Sequence, residues 1–257
     1  MASRARVQAS LTAGMNLKRR GMPASTSIVS VGIVGGLAAA GPSFRVIRTT
    51  EIDQYEKAAK APVTAALAAA VGDTFGGTAR KSAKLSISKA TTEQIASVKA
   101  LIDSLPSHAK MKNHKPKITT SATSKRVAEE DRNVRLSAFL YAASKEEDND
   151  YHLIVGQSKT AAVEVYITME ISGLPPKSAK SFARLKKARK AFEGFFAGNL
   201  PGTTYDFYDP PVPIDVKGSL FWDASHAKGG RPGPKSLRPK IPTVWELHPI
   251  SSITMNP

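Results

Sequence analysis

Residues 134–142 alternate apolar and polar side chains, as do 163–171 and 214–222, and 151–155 and 243–248 are short β-branched or aromatic runs bounded by turn residues. This period-two pattern predicts five strands in the second half of the chain. Between the third and fourth, residues 178–196 change period: Phe182, Leu185, Ala188 or Arg189, Phe192 and Phe196 recur at helical spacing, and Gly198 follows as a stop. The predicted order is β-β-β-α-β-β. Residues 205–213, aromatic and Pro-rich, read as the loop before the fourth strand.

The first half is less regular. Phe44–Arg48 reads as a strand, and residues 58–71 as an Ala-rich helix broken early by Pro62. Residues 92–105 predict a longer helix, with Ile95, Val98, Leu101, Ile102 and Leu105 on one face, a cap at Thr91-Thr92-Glu93 and a stop at Pro106. The Lys-, Pro- and Thr-rich stretch 108–124 reads as a linker lying on the surface. Three parts follow: a leader at 1–42, a small helical region with its linker at 43–124, and an α+β unit at 125–257. A meander, one helix after the third strand and a closing hairpin resemble the OB-fold, a small five-stranded β-barrel, preceded here by the helical region. An open five-stranded sheet with one covering helix satisfies the same pattern.

Composition narrows the function classes. Among 257 residues there are 37 Lys and Arg against 21 Asp and Glu, a formal charge of +16. With no cysteine, disulfides, thiolate metal sites and thiol nucleophiles are excluded. The excess charge is local, in three acid-free stretches: Arg4 to Arg20, Lys177 to Lys190 and Lys228 to Lys240. Concentrated basic surface points to a polyanion, with nucleic acid preferred; solvated charge serving solubility alone is the plain alternative. The basic start, an uncharged run and Ala38-Ala39-Ala40 outline an export signal diluted by Ser and Gly. A disordered leader explains the same letters, and a cytoplasmic location is preferred over export. The run is too short for a transmembrane span.

Four stretches carry a family resemblance: Asp148-Asn-Asp-Tyr-His-Leu-Ile-Val155, Gly218-Ser-Leu-Phe-Trp-Asp-Ala-Ser-His-Ala-Lys-Gly229, Gly233-Pro-Lys-Ser-Leu-Arg-Pro239 and Trp245-Glu-Leu-His-Pro-Ile250. They resemble a group of uncharacterised bacterial proteins with Asp-x-His-Leu and Glu-Leu-His-Pro motifs. The resemblance implies a shared unit over the last half to two thirds of the chain and no activity.

Two constellations carry candidate chemistry. The loop between the last two strands holds Lys228, Arg231, Lys235, Arg238 and Lys240 without an acid, where an OB-fold binds oligonucleotides or oligosaccharides. Arg184 and Lys187 on the predicted helix extend the basic surface. Tyr141, Tyr166, Phe221 and Trp222 serve either as stacking partners or as core. Secondly, three histidines each have a carboxylate nearby: Asp150 with His152, Asp223 with His226, Glu246 with His248. Such a cluster would take a divalent metal and activate water for ester hydrolysis, whereas hydrogen-bonded structural histidines are the plain reading. No Gly-x-Ser-x-Gly elbow or complete dinucleotide fingerprint occurs, so no nucleotide cofactor is expected. The sequence thus favours a non-catalytic OB-like binder of a polyanion, with a metal-dependent phosphodiesterase or nuclease as the alternative. An exported domain binding an anionic surface polymer is the third alternative.

Overall fold

The computed structural model describes residues 30–34, 44–53, 72–160, 165–228 and 230–255. Most of the leader and the helix expected at 58–71 lie outside the described residues. The elements are β1 (Ser30–Val34), β2 (Phe44–Arg48), α1 (Lys81–Lys84), β3 (Thr92–Gln94), α2 (Val98–Asp103), α3 (His108–Lys112), β4 (Asn133–Lys145), β5 (Tyr151–Gly156), β6 (Tyr166–Ile171), α4 (Phe182–Phe195), β7 (Asp206–Trp222) and β8 (Trp245–Met255). No helix among the described residues is long and apolar enough to cross a membrane.

The protein is α+β, built on one mixed sheet in the order β1-β2-β7-β8-β6-β5-β4-β3. An additional pairing of β7 with β4 closes β4, β5, β6, β8 and β7 into a five-strand ring. Its neighbours are antiparallel except β6 and β8, which run parallel. Within the ring the expected order β-β-β-α-β-β holds.

Alternation decides which face fills the ring. Val134, Leu136, Ala138 and Leu140 of β4 join Leu153 and Val155, Ile167 and Met169, Val212, Ile214 and Val216, and Trp245 and Leu247 in one buried cluster. A register shift between Leu140 and Ala142 turns Ala142 to the opposite face and Ala143 into that cluster. Against the cluster lies the stripe of α4, with Leu185, Ala188, Arg189 and Phe192 buried. Gly198, at φ +80, follows the helix end in the left-handed conformation that glycine adopts without a Cβ clash.

Three local expectations are corrected. Residues 92–105 are not one helix: Thr92–Gln94 pairs with β4, and only Val98–Asp103 is helical, starting where the Ser97 hydroxyl accepts from Ala100 N–H. The stretch 108–124 is not a surface linker, since it contains α3 and buries Met111 and Ile118 in the ring cluster. The loop expected at 205–213 is strand from Asp206, because β2 and β4 both supply pairing partners there. The strand expected at Phe44–Arg48 forms as β2, and Val46, Val98 and Leu101 of the first half share the core with β4–β8.

The outer face of the ring is covered too. Ile154 and Tyr166 pack there with Tyr205, Phe207, Leu237 and Ile241. Beside them the segment 72–90 crosses the sheet: Phe75 N–H donates to Leu174 O, Gly76 N–H to Asp148 O and Ser88 N–H to the Ser219 hydroxyl. A Cβ on Gly173 would sit 2.6 Å from Phe75 Cα and 2.9 Å from its nitrogen, so only glycine admits this crossing. Gly173→Ala is expected to lower stability by about 1–3 kcal/mol. Urea unfolding checks it, and an unchanged midpoint would contradict the close approach.

Candidate metal centre

Polar residues replace apolar ones on part of the outer face. On β5, β6 and β8 the outward positions beyond Ile154 and Tyr166 include His152, Thr168, Glu170, Glu246 and His248, and all five are buried. Strand pairing assembles them. His152 is opposite Glu170, and the parallel register sets Glu246 beside Thr168. His248, two residues beyond Glu246, therefore reaches the level of Glu170 on its other flank. The covering segment closes the layer with Lys84, whose Nζ lies 3.4 Å from Asp148, 3.6 Å from Glu170 and 4.0 Å from Asp150.

Two of the three expected pairs form. His226 Nδ1 lies 2.7 Å from Asp223 Oδ2, and His248 Nδ1 is 3.2 Å from Glu246 Oε1. The third is corrected. Asp150 precedes β5, and its Oδ1 accepts from Gly173 N–H at 2.6 Å, so its Oδ2 meets His248 Nε2 at 3.3 Å and not His152. His152 instead has Glu146 and the Tyr205 hydroxyl, each 2.9 Å from its Nδ1. Asp53 lies between His152 and His226, 3.9 Å from each. His152, Asp223, His226, Glu246 and His248 thus belong to one layer that also contains Asp53, Glu146, Asp148, Asp150, Glu170 and Lys84.

The electrostatics follow from seven carboxylates enclosed with one lysine. Burial raises the pKa of Asp150, further lifted by Asp148 and Glu170, and likewise that of Glu246, further lifted by Glu170 and Asp223. Burial works against the Lys84 ammonium, yet Glu170, Asp148, Asp150 and Glu246 together hold its pKa well above the ordinary value. Burial opposes charge on His152 also, but Glu146, Glu170 and Asp53 raise it to about 10. Glu170 stays ionised: His248, Lys84 and His152 outweigh its desolvation. Glu170 Oε2 lies 2.5 Å from His248 Nδ1 and 3.6 Å from Lys84 Nζ, and Asp150 Oδ2 lies 3.3 Å from His248 Nε2, whereas His152 Nε2 and Glu246 Oε2 are buried and make no hydrogen bond. Such atoms are costly unless something else partners them.

Two triads have donor atoms within 4.8 Å of one another: Glu146, His152 and Glu170, and Asp150, Glu170 and His248. Imidazole and carboxylate donors suit Zn²⁺ or Mn²⁺. Glu146 and Glu170 were not singled out from the sequence. Glu170 had a signal, a carboxylate at an alternate position of a strand whose opposite face is wholly apolar; Glu146 had none, being one acid in a polar turn.

The basic residues separate into distinct settings. Arg231 and Lys235 are exposed, and Arg238 is half-buried, donating to Gly233 O. Arg231 donates to Pro239 O. The loop is no open strap: Leu237 and Ile241 anchor it to the sheet, and Gly233 N–H donates to Asp53 Oδ2 at 2.5 Å. Lys240 is half-buried in a short 3-10 turn, and the Lys228 side chain lies outside the described residues. Arg184 and Lys187 are exposed on α4 and line a cavity of about 420 Å³ with Lys217. Arg189 is buried, donating to Asn149 O and Ser172 O. Tyr141, Tyr166, Phe221 and Trp222 are buried, as core residues would be. His226 borders a second cavity of about 370 Å³, which His108 and Arg231 also line.

No family model, no curated protein and no solved structure matches the chain.

Lys84→Met removes the ammonium from the layer. Breaking a buried ionic contact from one side costs about 3–5 kcal/mol. The loss should be larger at pH 8 than at pH 5, because Asp150, Glu146 and Glu246, all shifted upward, relieve their repulsion by taking protons as pH falls. Chemical denaturation of both proteins at the two pH values checks this. An equal loss would contradict carboxylate repulsion as its source.

Proposed function

We propose that the protein is a divalent-metal-dependent hydrolase of phosphodiesters. The observation that carries this reading is the convergence of His152, His226 and His248 with seven carboxylates on one face of the ring. The residues fit a cation: the donors are imidazole and carboxylate, His152 Nε2 and Glu246 Oε2 are buried without a hydrogen bond, and seven carboxylates outnumber Lys84, His152 and His226 together. Glu146, His152, Glu170, Asp150 and His248 would hold it. A bound cation supplies Lewis acidity and a water of lowered pKa.

The surrounding chain divides the remaining work. His226 stands where the buried layer meets the cavity, oriented by Asp223, and is the group placed to move a proton there. Asp223 and Asp53 raise its pKa against burial, so it is held as the donor form. Arg231, on the same cavity, is placed to take a phosphate oxygen. An OB-like reading supports this placement. The outer face of the second and third ring strands, with the loops after the first and between the last two, is where such folds bind oligonucleotides, and these elements contribute His152, Glu170, Glu146, Asp150, Asp223 and His226. Nucleic acid is the favoured polyanion.

The test is hydrolysis of bis(p-nitrophenyl) phosphate and of labelled single-stranded DNA and RNA, with Mn²⁺, Mg²⁺ or Zn²⁺ and with EDTA. Cleavage should require the metal and fall by about 100-fold or more in Glu170→Gln and His152→Ala. Metal-independent cleavage, or none with any of the three ions, would overturn the assignment.

A second reading, binding of a polyanion without catalysis, is favoured by a separate observation: Arg184, Lys187 and Lys217 line one groove beside Ser251 and Ser252. Single-stranded DNA should then shift in a mobility assay at low salt. Arg184→Glu with Lys187→Glu should weaken binding and flatten its salt dependence. Binding unaffected by the double substitution would rule this groove out.

A further inference from the structure

Glu170 is the one residue common to both ligand triads. It sits on β6, the central strand of three, with His152 opposite on β5 and His248 reached through the parallel register of β8. Each histidine therefore approaches a different flank of the same carboxylate. The turn between β4 and β5 supplies one further acid to each side: Glu146 lies 2.9 Å from His152, and Asp150 lies 3.3 Å from His248. The arrangement has two halves sharing one carboxylate.

We infer that the site is a dinuclear centre, in which Glu170 bridges one divalent cation held by Glu146 and His152 and a second held by Asp150 and His248. A carboxylate has two oxygens and can serve two cations at once, at the separation of about 3.5–4 Å typical of paired sites. In one half His152 Nε2 is buried without a hydrogen bond, and in the other the buried Asp150 Oδ2 and His248 Nε2 face each other at 3.3 Å without one of acceptable angle. Lys84 Nζ stands closest to Asp148, outside both triads, and so leaves both sets of donor atoms to a cation. The inference rests on the metal-dependent reading above and goes beyond it in stoichiometry and substrate. Two adjacent cations stabilise both the entering and the leaving oxygen of an in-line displacement, which suits a phosphodiester. In that displacement a water oxygen forms the new bond to phosphorus, the P–O bond to the leaving oxygen breaks with its electron pair, protonated His226 gives its proton to the leaving oxygen, and the proton lost by the water returns to His226.

Manganese provides the test, because two bridged Mn²⁺ ions are exchange-coupled and give a spectrum distinct from that of isolated ions. The full chain, stripped with EDTA, is titrated with MnCl₂ by calorimetry and followed by electron paramagnetic resonance. Two ions per chain with a coupled signal are expected. Glu170→Gln, nearly isosteric, should abolish the coupling, and His248→Ala should leave one uncoupled ion; circular dichroism confirms folding of each variant. Should both variants fail to fold, the wild-type stoichiometry and coupling decide alone. One uncoupled ion per chain would overturn the dinuclear centre and leave metal-dependent hydrolysis standing. No bound ion would overturn both. A coupled pair without hydrolysis of any phosphodiester would uphold the centre and overturn the proposed activity.

Discussion

The structure depends on holding a layer of charge out of water between two parts of the chain. Burying an ionised group costs several kcal/mol unless its partners are in place, and here the partners come from far apart in sequence. Arg80 forms a two-point ion pair with Glu130, at 2.6 and 2.8 Å, and donates to Trp222 O at the end of β7. Arg126 donates to Ala83 O and Ser86 O on the covering segment and to His248 O and Leu220 O on the ring. These arginines fasten residues 72–90 over the face that carries Glu170. Apolar packing alone would not specify that crossing, because one step along a strand would exchange core residues for the polar row.

This constraint changes the meaning of the chain's basic character. Seven of its 21 acids lie in the enclosed layer, and an eighth, Glu130, is buried against Arg80. The acids that remain to offset the exposed Lys and Arg are correspondingly fewer, so the outer surface is more positive than the formal +16 suggests. A basic exterior and an acidic interior are two results of one partition.

The ring was largely legible in the sequence because its strands bury one face, and alternation reports that directly. Leu153 and Val155, or Ile214 and Val216, announce their orientation by spacing. The long-range partners were not legible. Thr92–Gln94 has the composition of a helix start and becomes strand only because Asn133, Val134 and Arg135 lie beside it. In the site, Asp223 with His226 and Glu246 with His248 were found through local spacing, which fixes a strand's face or a turn's reach. Glu146 reaches His152 across the β4–β5 turn, and Lys84 arrives from an element some sixty residues upstream of Asp148. No periodicity encodes such meetings.

The corrected pairing of Asp150 carries the most consequence for chemistry. Two carboxylate–histidine couples in strict local order would have given separate hydrogen-bonded dyads, each satisfied and each plainly structural. Gly173 N–H instead takes one oxygen of Asp150 and aims the other at His248, while Glu146 replaces Asp150 at His152. Both histidines are thereby drawn towards Glu170, and the local dyads become one shared cluster. A glycine is required at position 173 because Phe75 passes within 2.6 Å of where a Cβ would be. The close approach that lets the covering segment seal the layer also presents the N–H that orients Asp150, so closure of the fold and assembly of the site depend on the same residue.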